Sequence, residues 1–314
     1  MDTNKDKYKA VRYEHFGHVD VLHIVELPKS AANKGEVLVR VKAAGINPGE
    51  ASIREGFLEK QFPSTFPSGQ GTDFAGVVES VGADVTNFKA GDEVIGFSNN
   101  RNSQAEYVVV KADQLVSKPS KVSWEQAGGL FVAGTTAYAA VRAVGLKEGD
   151  TIIVSGAAGG VGSLAVQIAK KYGAKVIGIA SEYNHEWLKA HGVEPVSYNG
   201  NIEENLKNAL NGKKKPDAFI DLSGKGYVEL AIKLGIPADK INTIIDFAAV
   251  EKYKIKAEGS AAASTAQVLG ELAQMVNDGD LEIPVAKTYP LSQVKDAYIE
   301  LEKRHTHGKI VLIP

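Results

Sequence analysis

The stretch at residues 36–46, "EVLVRVKAAGI", alternates apolar and polar side chains, which is typical of a strand with one face in a core. Three similar runs follow it, separated by Gly, Asp and Asn residues that favour turns: "FAGVVESVG", "GDEVIGF" and "AEYVVVKADQLV". Few stretches in this part of the chain have helical spacing. The pattern therefore predicts that the first part of the chain is rich in β-structure.

The pattern changes near Ser123, a residue that can cap a helix when Glu125 and Gln126 follow it. From Thr151 onward, short apolar runs alternate with segments of helical spacing. The predicted strands are "TIIVSG", "KVIGIAS", "PVSY", "DAFIDLSG", "INTIIDF" and "YKIKAEG". This alternation predicts a parallel sheet with crossover helices. Two amphipathic helices and a final strand, "GKIVLIP", follow in the tail.

A glycine-rich turn, "GAAGGVG", joins the first of these strands to a helix. Such a turn suits a pyrophosphate, because backbone N–H groups and the helix dipole favour an anion there. Two registers of the G-x-G-x-x-G pattern are open, Gly160-x-Gly162-x-x-Ala165 and Ala157-x-Gly159-x-x-Gly162. The strand end at Ser155 favours the second, which has alanine in place of the first glycine. The residues expected to bind the dinucleotide are Ala157, Ala158, Gly159, Gly160, Val161 and Gly162.

The residues after the second strand bear on the choice between NADP and NAD. An acidic residue at this position binds the ribose hydroxyls of NAD. In this chain the apolar run ends at Ala180, and Ser181 and Asn184 can donate hydrogen bonds to a 2′-phosphate. Glu182 is the alternative, since in a shifted register its carboxylate would bind the ribose of NAD. We expect NADP(H), with Ser181 and Asn184 in its binding site.

Composition and charge exclude several classes of protein. The 314 residues are enough for two domains, and a net charge of −2 provides no basic surface for nucleic acid. The chain has no cysteine, which excludes disulfides and cysteine-ligated metal sites. No apolar run approaches the roughly 18 residues of a membrane span, and the start "MDTNKDKYKA" lacks the apolar segment of a signal peptide. We therefore expect a cytoplasmic protein without membrane or nucleic-acid partners.

Several motifs together resemble the quinone oxidoreductase branch of the medium-chain dehydrogenase/reductase superfamily. They are "GINPGEASIREG", "GTDFAGVVESVG", "AGTTAYAAV", "LKEGDTIIVSGAAGGVGSLAVQIAKKYGAKVIGIAS", "VSY" and "HGKIVL". The resemblance implies an α/β fold, with a Rossmann doubly wound parallel sheet and a GroES-like β-rich domain completed by the C-terminal segment. The implied boundaries are 1–122 with 259–314 for the GroES-like catalytic domain and 123–258 for the NADP(H)-binding domain. A homodimer that pairs through "YKIKAEG" is a further implication.

Zinc-dependent members of the superfamily carry a cysteine and a His–Glu pair as metal ligands. This chain has Asn47-Pro48 and Thr72-Asp73 at those positions. The resemblance therefore implies hydride transfer without a metal. Zinc acts as a Lewis acid on a carbonyl, so without it we expect acceptors that take hydride readily. Quinones and α,β-unsaturated carbonyls are small molecules that accept hydride readily.

The resemblance also implies roles for individual residues. Asn47 is expected near the nicotinamide and the substrate, Thr135 on the nicotinamide side of the cofactor, and Tyr198 beside the adenosine phosphate. Phe247 is expected to cover the nicotinamide through its backbone, and Lys309 to lie near the cofactor. Simpler alternatives are a turn residue for Asn47, a helix-internal hydroxyl for Thr135, a strand-end ring for Tyr198 and an exposed charge for Lys309.

The segment after Asn47-Pro48 departs from the branch, which often carries tyrosines there. This chain has Ser52, Phe57 and Leu58 instead. The proton donor is thus open between Ser52 and water, and Ser52 joins Asn47 as a catalytic candidate. Two other functions also stay open: an enoyl-thioester or alkenal reductase with the same hydride chemistry, and a non-catalytic NADPH-binding protein of the sensor or crystallin type.

Overall fold

The computed structural model describes residues 7–213 and 215–314, which fall into two compact units. The β unit comprises residues 7–132, 265–279 and 283–314, and the α/β unit comprises residues 133–264 and 280–282. The β unit is thus built from both ends of the chain. Residues 1–6, which contributed to the expectation of a cytoplasmic protein, lie outside the described residues.

Strands predominate before Ser123 in the described part of the chain, and helices become frequent after it. The strands are β1 (Lys7–Tyr13), β2 (His23–Pro28), β3 (Glu36–Gly45), β4 (Ser68–Gly69), β5 (Asp73–Val81), β6 (Glu93–Phe97), β7 (Tyr107–Lys111), β8 (Leu115–Ser117), β9 (Thr151–Ser155), β10 (Lys175–Ala180), β11 (Glu194–Ser197), β12 (Ala218–Asp221), β13 (Ile241–Thr243), β14 (Val285–Pro290) and β15 (Lys309–Ile313). The helices are α1 (Pro48–Arg54), α2 (Trp124–Gly128), α3 (Phe131–Ala143), α4 (Gly162–Lys171), α5 (His185–Ala190), α6 (Ile202–Ala209), α7 (Tyr227–Lys233), α8 (Phe247–Tyr253), α9 (Ala266–Asp278) and α10 (Val294–Glu302).

The long strand β3 organises the β unit. Its sheet has the order β14-β15-β3-β5-β6-β8, and β7 also pairs with β3. The alternating side chains of Val37, Val39 and Val41 are buried with Phe74 of β5, as the apolar–polar pattern predicts. Near the end of β3, Gly45 pairs with Val311 of β15. The residues that follow β3 therefore lie beside the start of β15.

The α/β unit contains a five-stranded sheet in the order β11-β10-β9-β12-β13, and every pair in it is parallel. Its central strand β9 is buried at all five positions, as expected for a strand covered by helices on both faces. The predicted α/β class with a parallel sheet is confirmed. The carboxyl ends of all five strands meet at one edge, where ligands bind in open α/β sheets.

The sixth predicted strand, "YKIKAEG", is wrong. Helix α8 extends through Tyr253, and Lys254 then adopts a left-handed conformation with φ 54°. The segment makes a parallel bridge between Lys256 and Asn242 of β13 instead of a strand. The alternating pattern arises because Ile255 is buried in the core between two polar neighbours.

Local signals at helix ends are confirmed. The hydroxyl of Ser123 accepts a hydrogen bond from the backbone of Gln126 and caps α2. Gly173, with φ 79°, ends the turn after α4. No helix of the described ranges is long and apolar enough to cross a membrane.

Candidate dinucleotide and active-site residues

The turn between β9 and α4 is tight at both of its ends. Gly156 adopts φ 63°, and α4 begins at Gly162. A Cβ atom on Gly162 would lie 2.0 Å from the carbonyl oxygen of Gly156, so only glycine allows the helix to start this close to the strand. A Cβ on Gly159 would meet the same oxygen at 3.4 Å, an ordinary contact. Packing within the protein therefore does not require glycine at position 159, which leaves the close approach of a ligand to the backbone as a reason for it.

The remaining residues of the turn fix its shape. Ala157 and Ala158 are buried, and the backbone of Ala157 donates to the carbonyl of Ile179 in the neighbouring strand β10. Gly160 and Val161 complete the turn, and Val161 already has helical backbone angles. The N–H groups of Ser163 and Leu164 already donate to the carbonyls of Gly159 and Val161, and the start of α4 carries the positive end of the helix dipole. The turn can therefore hold the pyrophosphate of a dinucleotide.

Ser181 and Asn184 lie together where β10 ends. The Asn184 side chain donates to the Ser181 hydroxyl over 3.0 Å, and the Asn184 backbone donates to the Ser181 carbonyl. Because the Ser181 oxygen accepts this bond, its own hydrogen is left to donate to a ligand. The carboxylate of Glu182 accepts a hydrogen bond from Ser197 at the end of β11, over 3.0 Å.

Asp221, at the end of β12, is a buried residue at this sheet edge that the sequence analysis missed. Its carboxylate accepts hydrogen bonds from the hydroxyl of Ser155 at 2.7 Å and that of Thr243 at 3.0 Å. The backbone N–H groups of Ser223 and Gly224 donate to it as well. Asp221 thereby ties together the ends of β9, β12 and β13. The sequence feature that could have pointed to Asp221 is an acidic residue at the end of the apolar run "AFID".

Thr135, Tyr198 and Phe247 are the other residues of the α/β unit that were predicted to bind the cofactor. Each of them has different surroundings. Thr135 of α3 is fully buried, and its hydroxyl shares a hydrogen bond of 2.9 Å with that of Ser260. Tyr198 follows β11 and is 43% exposed, while Phe247 opens α8 and is 58% exposed. Asp246 caps α8 by accepting from Ala249, so its role is structural.

In the β unit, Asn47 and Lys309 are in direct contact. The buried ammonium of Lys309 donates to the side-chain oxygen of Asn47 and, over 3.0 Å, to the carbonyl of Ile46. It lies 3.7 Å from a carboxylate oxygen of Asp73. Lys309 is only 4% exposed, so the alternative of an exposed charge at the start of a strand is wrong.

The amide nitrogen of Asn47 bridges two buried carboxylates. It donates to Glu50 and to Asp73, each over 3.2 Å. Asn47 also caps α1 together with Glu50, whose carboxylate accepts from the Asn47 backbone. The side chain is thus more than a turn residue, because both its oxygen and its nitrogen are engaged.

Glu50 is held from three further positions. Its carboxylate accepts from the backbone of Thr72 at 2.9 Å, from Gln104 at 3.3 Å and from the hydroxyl of Tyr298 at 2.8 Å. The Tyr298 oxygen in turn accepts from Gln70 and Gln104. Because both of its acceptor sites are used, the tyrosine must donate its own hydrogen to Glu50.

Burial is the largest cause of the pKa shifts of Glu50, Asp73 and Tyr298. It raises the pKa of Glu50, and the negative charge of Asp73 raises that pKa further. It also raises the pKa of Asp73, although the ammonium of Lys309 opposes this. The pKa of Tyr298 lies well above its usual value because of burial and the nearby Glu50 carboxylate. The tyrosine therefore remains a hydrogen-bond donor over the whole physiological pH range.

Ser52, the second catalytic candidate, lies on α1 one turn after Asn47. Its hydroxyl makes a long bond of 3.4 Å to the carbonyl of Pro48. A bond of this length is weak, so the hydroxyl can turn to another partner. The chain then reaches Phe57, which is 75% exposed.

Family models match both parts of the chain. The alcohol dehydrogenase GroES-like domain matches residues 33–120. Two models described as zinc-binding dehydrogenase match residues 160–242 and 208–312.

Curated and solved proteins are similar over almost the full length. A quinone oxidoreductase of Pseudomonas aeruginosa is 30% identical, covering 98% of this chain and 99% of its own. The chain belongs to the medium-chain dehydrogenase/reductase superfamily, in its quinone oxidoreductase-like branch. An NADPH-dependent alkenal/one oxidoreductase of Arabidopsis thaliana chloroplasts is 31% identical, over 98% and 79% of the two chains. The structure of Escherichia coli quinone oxidoreductase complexed with NADPH has a TM-score of 0.85, at 27% identity and over 98% and 100% of the chains. Membership of this superfamily makes the protein an oxidoreductase.

Its residues do not fit the zinc ion that two of the family descriptions name. The chain has no cysteine, and the described residues contain no cluster of three His, Cys, Asp or Glu side chains that could hold a metal. The ammonium of Lys309 already lies against the oxygens of Asn47 and Asp73. A cation at that place would be repelled by the lysine.

Proposed function

We propose that the protein is an NADPH-dependent, zinc-independent reductase that transfers hydride to quinones or α,β-unsaturated carbonyls. The observation that carries the proposal is the contact of Lys309 with Asn47 and Asp73, where metal ligands would otherwise be needed. NADP(H) is the cofactor, as in the relatives whose names state NADPH. When bound, the reduced dinucleotide supplies the hydride.

The residues of the α/β unit bind and orient the cofactor in this proposal. The turn from Ala157 to Gly162 holds the pyrophosphate, and Ser181 with Asn184 donates to the 2′-phosphate. Thr135, Tyr198 and Phe247 contact the remaining parts of the dinucleotide. In the β unit, the proposed role of Lys309 is its hold on Asn47.

The acceptors follow from the chemistry of the β unit. Quinones and enones accept hydride without a Lewis acid, because their conjugated carbonyls spread the negative charge that develops. The amide of Asn47, polarised by Lys309, contributes a fixed dipole near that charge. The anion that forms must then take up one proton, and Ser52 or a water beside it is the proposed source.

The names of the relatives support two acceptor classes, quinones and alkenals or alkenones. An enoyl-thioester would react by the same hydride addition. The domain boundaries at 1–122 with 259–314 and at 123–258, a homodimer and a cytoplasmic location remain proposals of the same kind. Sedimentation of the purified protein tests the dimer.

One assay tests the function. Oxidation of NADPH and NADH is followed with quinones, enals, an enoyl-thioester and simple ketones, with and without EDTA. We expect turnover of conjugated acceptors that EDTA leaves unchanged, and none of simple ketones. Loss of activity in EDTA would contradict the zinc-independent mechanism. Tight NADPH binding without turnover of any acceptor would instead favour the non-catalytic binding protein.

A further inference from the structure

Glu182 lies at the position from which an acidic side chain can select between dinucleotides. It is the second residue after β10 and opens a short 3-10 helix, Glu182–Asn184. An acid at the end of this strand binds the ribose hydroxyls of NAD and repels a 2′-phosphate. In the sequence the residue was ambiguous, because in a shifted register of the turn its carboxylate would be the one that binds the ribose of NAD.

The structure turns this carboxylate towards the neighbouring strand. Ala180 at the end of β10 pairs in register with Ser197 at the end of β11. The Ser197 hydroxyl donates to Glu182 over 3.0 Å and accepts from the backbone of Asn199 over 3.1 Å. The Asn199 bond occupies the serine oxygen, which directs its hydrogen to the carboxylate.

The donors suited to a phosphate lie on either side of Glu182 in the chain. Ser181 keeps a hydroxyl hydrogen for a ligand because its oxygen accepts from Asn184. While Glu182 is bound to Ser197, these two residues remain available to a 2′-phosphate. A single hydrogen bond between exposed side chains is weak, however, so Glu182 can leave Ser197 at small cost.

We propose that the Glu182–Ser197 hydrogen bond sets the dinucleotide preference of this protein. Bound to Ser197, Glu182 permits NADPH at Ser181 and Asn184. Released, it accepts hydrogen bonds from the two ribose hydroxyls of NADH and disfavours the 2′-phosphate. The protein therefore binds both dinucleotides, and Ser197 determines the ratio. The inference rests on the proposed function only in requiring a dinucleotide at the turn between β9 and α4.

Equilibrium binding of NADPH and NADH, followed by nucleotide fluorescence or calorimetry, tests this without any acceptor. Ser197→Ala frees a charged Glu182, so we expect the ratio of the Kd for NADH to the Kd for NADPH to fall by about fivefold. Glu182→Gln removes the acid, and we expect the same ratio to rise by about fivefold or more. In the double variant, Ser197→Ala should change nothing further, because no carboxylate is left to release.

Two matched controls separate this role from general effects. Ser197→Thr keeps the hydroxyl and should keep the wild-type ratio. Glu186→Gln removes a carboxylate four positions along, in α5, and should leave the ratio unchanged. A ratio unaffected by both Ser197→Ala and Glu182→Gln, with both dinucleotides binding, overturns the inference and leaves the proposed function standing. Failure of the wild type to bind either dinucleotide overturns both.

Discussion

The ammonium of Lys309 donates to the side-chain oxygen of Asn47, two residues 262 positions apart in the chain. This contact fixes which way the amide faces, so its nitrogen must point at Glu50 and Asp73. The β unit thus holds two carboxylates and one lysine in a buried cluster that a single asparagine connects. Each of these groups depends on the others for its charge state.

Lys309→Met should destabilise the protein by about 3 kcal/mol or more, because it leaves the charge of Asp73 buried without its partner. Urea unfolding measures the effect. Asp73→Asn should cost less in the Lys309→Met background than in the wild type, with a coupling energy of at least about 1 kcal/mol.

Lys34→Met is the control for this cycle, because Lys34 pairs with Asp84 on the surface. We expect it to cost less than about 0.5 kcal/mol. Strict additivity of the Lys309 and Asp73 substitutions would show that the two charges do not interact.

The stability of the wild type should fall with rising pH relative to Glu50→Gln. The folded state raises the pKa of Glu50 above its ordinary value of 4.5, so the native protein holds the proton more tightly than the unfolded chain. This stabilisation is complete below the unfolded pKa and is lost as the pH rises through the folded one. Unfolding free energies at several pH values from about 4 upward measure it. A constant difference between the two proteins would mean that folding leaves the pKa of Glu50 unchanged.

Tyr298→Phe removes a hydroxyl that three side chains share. Glu50 loses a donor, and the amides of Gln70 and Gln104 lose their acceptor inside the protein. We expect a loss of about 1–3 kcal/mol in urea unfolding. Tyr289→Phe is the matched change, since Tyr289 is also buried but its ring faces the ammonium of the exposed Lys287, so loss of its hydroxyl should matter less. Equal effects of the two substitutions would argue against a buried network.

Local patterns predicted the parts of the fold that depend on neighbouring residues. The apolar run of β9, the glycine turn and α4 form one continuous segment, and the sequence signals for each agree with the structure. The prediction of a strand at "YKIKAEG" was wrong, because alternation shows only that one side of a segment is buried. Whether a strand forms depends on a partner, and in this fold α8 takes up the first residue of the segment, Tyr253.

The polar cluster could not be predicted from local signals. Glu50 and Tyr298 are 248 positions apart, and nothing near either residue indicates the other. The residues "NPGE" contain a capping pattern of Asn47 and Glu50, but such a pattern predicts only a helix start. Burial of Lys309 likewise follows from the pairing of β15 with β3, which is a property of the whole sheet.

Two glycines of the turn should respond differently to alanine. Gly162→Ala places a Cβ 2.0 Å from the Gly156 oxygen, so the strand and helix must move apart. We expect it to lower stability by more than about 1 kcal/mol and to weaken dinucleotide binding as well. Gly159→Ala meets that oxygen at 3.4 Å and should leave stability within about 0.5 kcal/mol of the wild type.

Binding then separates the two roles. If the pyrophosphate approaches the backbone at Gly159, the methyl group introduced by Gly159→Ala should weaken NADPH binding by about tenfold or more. The variant should nevertheless unfold like the wild type. Thermal unfolding and NADPH titration of the same samples measure both properties. Gly149→Ala is the control for simple loss of a glycine. Gly149 has open space around its Cβ position but adopts φ 83°. The substitution should therefore lower stability and leave NADPH affinity unchanged. Unchanged NADPH affinity in a folded Gly159→Ala protein would place the pyrophosphate elsewhere and favour the other register, Gly160-x-Gly162-x-x-Ala165.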